Sequence, residues 1–421
     1  MTIGATPGQA RQDKPETAGE EERYDVLILD ASCKQSLASA RCLGRAGLRV
    51  ALGESVSQYR PDQPSSFLSR YCGRAVTLAS YTSDPESYAA EVVTFVSDHG
   101  VKVVLPAGDA SIAALAPHRR RLAELGCALA IASDAALEIA NDKARTLEVA
   151  AQLGIAYPQS VAVSGIEDLR TAETELGYPF VLKPTISWTG TMADRVVPVE
   201  VIDEAEAVDV TKRFLATGTG VLAQEWASGR REGVTLLIAN GEVVASCGHV
   251  AHRTTPALGG ASVIRESIEV PDEVLDASVR LVKAIGLEGP CEVEYRRSAS
   301  GRPLLMEVNA RLAGTLENAI QAGVDFPLLT WQWATGQPIA PARPYRTGVR
   351  TRWLHGDLRW LRENQQRIGR PDSVSAARAV WTFASEFIRT RHYDYFDRHD
   401  FRPGWAELQN TATVLRKVWR R

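Results

Sequence analysis

Glu294 in the run PCEVEY, with Glu307, Asn309 and Arg311 in the run LLMEVNAR, are the residues whose types and spacing most directly suggest chemistry in this 421-residue chain. Both carboxylates sit in strand-like text separated by the turn SASGR. Two adjacent antiparallel strands joined this way would bring Glu294, Glu307 and Asn309 to one face. Three oxygen donors converging there suit Mg²⁺, a hard cation that takes a few side-chain oxygens and completes its shell with water and phosphate. Arg311 follows Asn309 by two positions, falls on the same face, and can meet an anion held by the metal. The alternative is an amphipathic hairpin with solvated charges. Glu292, Glu294 and Glu307 in apolar strand text argue against it, because buried carboxylates are costly unless paired or metal-bound.

Upstream elements must supply the anion. A helix centred on 135–153 carries Asn141-Asp142-Lys143 at its start, and YPFVLKPT (178–185) is an apolar strand with Lys183 inside it. A lysine in a buried strand needs a neutralising anion, which makes Lys183 a phosphate ligand. The loop ISWTGTMA (186–193), with Gly190, can offer backbone N–H groups to phosphates. The segment 221–244 then reads as strand, linker, strand, Asn240-Gly241 turn, strand. Glu225, Trp226 and Ala227 end the first of these strands, where backbone groups can hydrogen-bond adenine. Glu232 can accept from ribose hydroxyls.

In this order the parts resemble the ATP-grasp superfamily from about residue 24 to 335, nearest the biotin carboxylase and carbamoyl phosphate synthetase large-subunit branch. The sequence departs from that pattern in a flap poorer in glycine and in one extra residue near Arg230–Arg231. The resemblance implies an N-terminal parallel α/β domain followed by an ATP-grasp fold, in which two α+β subdomains clasp ATP. It implies that Lys143 and Lys183 hold phosphates and that Glu225–Ala227 hold adenine. Glu294, Glu307 and Asn309 would bind two Mg²⁺ ions, with Mn²⁺ as a substitute, and Arg311 would stabilise the reacting carboxylate or acyl phosphate. The implied activity is an ADP-forming carbon–nitrogen ligase that converts a carboxylate to an acyl phosphate for attack by an amine or similar nucleophile. A bicarbonate-using carboxylase, a carbamoyl-phosphate-type enzyme and a non-catalytic ATP-binding module are the alternatives.

The rest of the chain supports this frame. Residues 1–22 are polar and read as a disordered tail. Residues 23–135 read as the α/β domain, with strands at 25–30, 48–54, 102–108 and 127–133 and a helix at 36–47. The first loop, Asp30 to Lys34, lacks the glycines of a dinucleotide site. Asp109 reads as an N-cap before SIAAL or, alternatively, as a substrate contact. Residues 136–342 form the ATP-grasp segment, with its nucleotide clasp at about 155–245. Within it His249, His252, Arg253 and Arg265 are candidate substrate ligands, and Arg265 is preferred for a carboxylate because Val263 and Ile264 lead it into the core.

The six cysteines show no CxxC pair, which fits a reduced, cytoplasmic protein. A net charge of −3 gives no case for nucleic acid, and no apolar run is long enough to span a bilayer. The charge is uneven, since residues 343–421 carry 17 basic and 8 acidic side chains, +9, against −12 for the remainder. That extension reads as helical, basic and aromatic, with an amphipathic helix beginning at an Asp372 or Ser373 cap and using Val374, Ala377, Trp381, Ala384, Phe387 and Ile388 to cover the core. Its other reading is a surface for an acidic acceptor, a partner or a membrane face. Partners beyond a small-molecule carboxylate and amine, such as a second copy of the chain, are left open.

Overall fold

The computed structural model describes residues 22–56, 64–186, 197–256, 260–340 and 344–419. The N-terminal tail and Gly190, with most of its loop, lie outside them.

Five short apolar strands open the chain. β1 (Val26–Ile28), β2 (Val50–Ser55), β3 (Cys72–Leu78), β4 (Val103–Leu105) and β5 (Ala128–Leu129) form a parallel sheet in the order β3-β2-β1-β4-β5. Buried Val, Leu and Ile on both faces make β1, β4 and the start of β2 continuous apolar runs, whereas β3 is a largely exposed edge strand. The order reverses between β1 and β4. In open parallel sheets the crevice beyond such a reversal is where ligands bind. Here it is bounded by the loops after β1 and β4. Asp30 joins them from a left-handed backbone (φ 55), its carboxylate accepting from the Ala107 and Gly108 amides and the Ser111 hydroxyl.

The expected helix over 135–153 is two helices, Asp134–Ala140 and Lys143–Gln152. The break falls at Asp142, whose side chain accepts from the Ala144 and Arg145 amides as a cap. β6 (Ser160–Val163), β7 (Phe180–Pro184), β8 (Val199–Val201) and β9 (Val221–Glu225) then make a small antiparallel sheet, ordered β6-β9-β7-β8.

The central sheet is antiparallel over most of its width. β10 (Arg231–Ala239), β11 (Glu242–Thr255), β12 (Ala261–Ile268), β13 (Gly289–Arg297), β14 (Pro303–Asn309), β15 (Arg350–Arg352) and β16 (His392–Tyr393) lie in the order β14-β13-β10-β11-β12-β15-β16. Asn240 and Gly241 turn the β10–β11 hairpin with φ of 55° and 73°, the left-handed pair that a two-residue hairpin requires.

The C-terminal extension is more than a helical cover, because β15 and β16 continue the central sheet. Its amphipathic helix runs Ala376–Arg389 and is capped by Ser375. Asp372 cannot cap it, being held by Arg296 at 2.7 Å. The apolar stripe of that helix faces outward, with Trp381 72% and Ile388 87% exposed. The expectation that this stripe covers the core is therefore corrected. The extension is fastened instead by buried ion pairs: Asp357 to Arg253 and Arg352, Asp394 to Arg265, and Asp400 to Arg41. Among the described residues, no helix is long and apolar enough to cross a membrane.

Candidate active site

Strand register builds the site. On the antiparallel β13–β14 pair, Glu294 stands opposite Glu307 and Glu292 opposite Asn309, so alternation puts all four side chains on one face. Asn309 Nδ2 donates to Glu294 Oε1 at 3.1 Å, and Arg231 on β10 donates to Glu294 Oε2 at 3.1 Å. Burial, with Glu307 and Glu292 close by, pushes the Glu294 carboxyl up to about 7. Burial also raises the Glu292 carboxyl. Carboxyls held together against desolvation and mutual repulsion suit a cation. Among the described residues no group of three or more His, Cys, Asp and Glu side chains forms a metal cage. A donor set of Glu294, Glu307 and Asn309 fits Mg²⁺, whose remaining positions go to phosphate and water.

The same face continues across the sheet. Gly233 pairs with Glu294 on one side and His249 on the other. Its bare backbone opens the path by which His249 Nε2 comes within 3.5 Å of Glu292 Oε1. A Cβ at Gly233 would lie 2.6 Å from His249 Cε1. Burial lowers His249 to about 4, so its ring is neutral. Thr315 Oγ1 donates to Glu292 at 2.7 Å.

Arg311 bridges to the N-terminal sheet. Its Nε meets Asp109 Oδ1 at 2.6 Å, and its Nη2 donates to Asn309 Oδ1 at 3.1 Å. Burial opposes the guanidinium charge, but Asp109 overcomes it and holds Arg311 above the usual arginine value. Asp109 is therefore not the N-cap of the helix Asp109–Leu115, which is Gly108. Its carboxylate fixes the arginine instead. Lys34, the first residue of the helix Lys34–Arg45 that follows β1, enters from the same crevice. It is buried, donates to the Ser262 carbonyl at 2.8 Å and lies 5.3 Å from the Trp353 ring centroid. Burial and the nearby Arg265 push Lys34 down to about 7.

Lys143 and Lys183 come together beside this face. Lys143 Nζ is 3.5 Å from Glu307 Oε2, and its amide donates to Thr185 at the end of β7. Lys183 Nζ donates to Gln224 Oε1 at 2.8 Å. Burial and the Lys143 charge lower Lys183 to about 7. Glu225, Trp226 and Ala227 form the connection from the small sheet to the central one. The Arg296 guanidinium sits 4.9 Å from the Trp226 ring centroid.

Alternation along β10 places the Arg231 side chain with Glu294; Glu232 also lines a cavity beside this face, and its buried carboxylate is held by Arg230 and Arg297 at 2.6 Å each. Arg265 changes role. It is fully buried against Asp394, which makes it an anchor for the C-terminal extension, not an open ligand. His252 pairs with Glu266 at 3.0 Å. Arg253 pairs with Asp357 at 2.7 Å and lies 4.4 Å from the Trp360 ring centroid.

The cavity, of about 630 Å³, lies against the β13–β14 carboxylate face, between the N-terminal domain and the C-terminal extension. Its walls include Glu292, Glu294, Glu307, Asn309 and Arg311. They also include Lys34 from the N-terminal sheet and Trp353, Tyr395, Glu407 and Asn410 from the extension. These last five were not singled out from sequence as site residues, because nothing local in the chain announces a partner hundreds of positions away.

Comparison with known proteins agrees with this geometry. Residues 234–356 match the family described as ATP-grasp in the biosynthetic pathway with Ter operon. A D-alanine–D-alanine ligase of Pseudomonas entomophila is 26% identical over 210 residues, 45% of this chain and 62% of the ligase. The chain therefore spans less than two thirds of that relative. The biotin carboxylase domain of a 2-oxoglutarate carboxylase from Hydrogenobacter thermophilus, solved with MgADP, ADP and bicarbonate, superposes with a TM-score of 0.61 at 15% identity, covering 78% of this chain and 74% of that one. An L-amino acid ligase from Bacillus licheniformis gives a TM-score of 0.57 at 18% identity, covering 76% and 79%. The fold is that of the ATP-grasp proteins. Over residues 234–356 the chain is similar to that ATP-grasp family, and its fold is similar to those solved structures.

Proposed function

We propose that the chain is an ATP-dependent ligase that activates a small-molecule carboxylate as an acyl phosphate, releases ADP, and passes the acyl group to an amine. The observation that carries this reading is the meeting of Lys143 with Glu307 at 3.5 Å. It joins the cations of the small-sheet cleft to the carboxylate face of the central sheet. Phosphoryl transfer needs positioning and charge neutralisation more than a covalent protein group. Lys143 and Lys183 neutralise the nucleotide phosphates, and the Glu225–Ala227 connection receives adenine. Glu294, Glu307 and Asn309 would hold Mg²⁺, which when bound offsets phosphate charge.

Arg311, aimed by Asp109, receives the substrate carboxylate and then the acyl phosphate. One carboxylate oxygen attacks the γ-phosphorus and the bond to the ADP oxygen breaks. An amine then attacks the acyl carbon, expelling phosphate and losing its proton. The related D-alanine–D-alanine ligase supports an amine as the acceptor.

Hydroxylamine tests the reading. With ATP, Mg²⁺ and a panel of carboxylates, trapping should yield a hydroxamate together with ADP. Formation of AMP and pyrophosphate would overturn it.

A further inference from the structure

The helix Ala376–Arg389 presents an apolar stripe to solvent. Ala377, Val380, Trp381, Ala384, Phe387 and Ile388 are all exposed, and their spacing by threes and fours puts them in one row. Val380 is 51%, Trp381 72%, Phe387 53% and Ile388 87% exposed. The helix is held in this orientation by its other face. Ala379 and Glu386 are buried, Arg350 donates to the Glu386 carboxylate at 3.2 Å, and Arg352 donates to the Phe383 carbonyl at 3.0 Å. A contiguous row of large apolar side chains fixed toward solvent marks an interaction surface.

Charge identifies what covers it. Between Ser373 and Tyr393 the Asp, Glu, Lys and Arg side chains are Arg378, Glu386, Arg389 and Arg391. Glu386 is buried against Arg350, and all three remaining arginines are exposed. The stripe is therefore bordered by positive charge alone. The next exposed aromatics, Phe401 and Trp405, again have an exposed arginine, Arg402, beside them in the chain. A second copy docking on this face about a two-fold axis would bring the arginines of both copies together, and like charges so placed oppose association. An acidic protein surface would meet the arginines but would need a preformed pocket for each projecting side chain. A layer of anionic lipid needs none. Trp, Phe and Ile enter the boundary between headgroups and acyl chains, and guanidinium groups meet lipid phosphates.

We propose that the helix Ala376–Arg389 is an interfacial anchor that lays the protein on an anionic phospholipid bilayer. Trp381 and Ile388 supply the inserted apolar surface, and Arg378, Arg389 and Arg391 supply the attraction to anionic headgroups. The anchor lies in the plane of the membrane surface and does not cross it. It uses none of the residues of the carboxylate face and stands apart from the ligase reading.

The test is co-sedimentation of the full chain with lipid vesicles at low salt. Vesicles of equal parts phosphatidylcholine and phosphatidylglycerol should carry the protein down. Vesicles of phosphatidylcholine alone should bind it about tenfold or more weakly, and added salt should release it from the mixed vesicles. Trp381→Ser combined with Ile388→Ser should lose the binding while the melting temperature stays at the parent value, because both side chains are exposed. Arg378→Glu combined with Arg389→Glu should lose the preference for anionic lipid.

No sedimentation with the mixed vesicles, equal binding to the two compositions, or binding untouched by the Trp381 and Ile388 changes would each overturn the proposal. So would a lipid-free dimer of the parent chain that those two changes abolish, since the face would then belong to a second copy. Hydroxamate formation needs no vesicle, so the ligase reading stands or falls separately.

Discussion

Asp109 and Arg311, 202 positions apart, form a 2.6 Å ion pair that joins the crevice of the parallel sheet to the end of β14. The pair fixes the guanidinium plane that also reaches Asn309. A planar fork held by two partners is not replaced by a lysine. Arg311→Lys should therefore lower turnover about a hundredfold, equivalent to roughly 2.7 kcal/mol of barrier. Asp109→Asn should lower it about tenfold. Titration of nucleotide binding should show both variants close to the parent. If Asp109→Asn turns over at the parental rate, the aiming role is wrong.

Gly233 leaves room for His249 to reach Glu292. Gly233→Ala would place a methyl group 2.6 Å from the His249 ring and 3.2 Å from the Val293 carbonyl. Overpacking of this kind costs about 1–3 kcal/mol, and turnover should fall with stability. His249→Ala in the same chain should restore part of the stability but not the turnover. A denaturation series on the four members of the cycle measures the coupling, and simple additivity would show that the ring is not what the methyl meets.

Lys183 gives a signed pH effect. Its ammonium titrates near 7 in the folded protein against an ordinary lysine value of 10.5. Between these values the unfolded chain binds more protons, so this group's contribution to stability rises with pH across that window. A phosphate beside it favours the charged form, and nucleotide binding at pH 8 should take up a proton. Calorimetry in buffers of different ionisation enthalpy reads that uptake. Lys183→Met should abolish it, weaken ATP binding and leave the melting temperature unchanged or higher. Equal uptake in parent and variant would remove Lys183 from the phosphate site.

The extension is held by acids that neutralise buried arginines. Ending the chain at Pro344 strands Arg41, Arg253 and Arg265, whose partners are Asp400, Asp357 and Asp394. Leaving a buried charge unpaired costs about 3–5 kcal/mol in each case. The truncated protein should be insoluble or melt far below the parent. A soluble, fully active truncation would mean that the extension neither completes the core nor serves the site.

Much of the site is legible in the chain because period two is a strong rule. Glu294, Glu307, Asn309 and Arg311 share a face as their spacing requires, and Asn240-Gly241 turns where its composition dictates. No local signal says that Arg230 and Arg297 hold the Glu232 carboxylate. β3 escapes notice because it is an edge strand with exposed positions such as Arg74. The Ala376–Arg389 helix has the expected periodicity but not the expected destination. Periodicity establishes that an apolar face exists, whereas tertiary packing decides what covers it. Lys34 and Glu407 are invisible for a different reason. Each matters only through a wall assembled from both ends of the sequence.

That shared wall has a consequence for synthesis. Lys34 is translated long before Asn410. A growing chain therefore carries the β13–β14 carboxylate hairpin before the far wall of the cavity beside it has been made. Prematurely terminated chains lack that wall. Chains that stop short of Asp357, Asp394 and Asp400 leave Arg253, Arg265 and Arg41 without their buried ion-pair partners and should be markedly less stable.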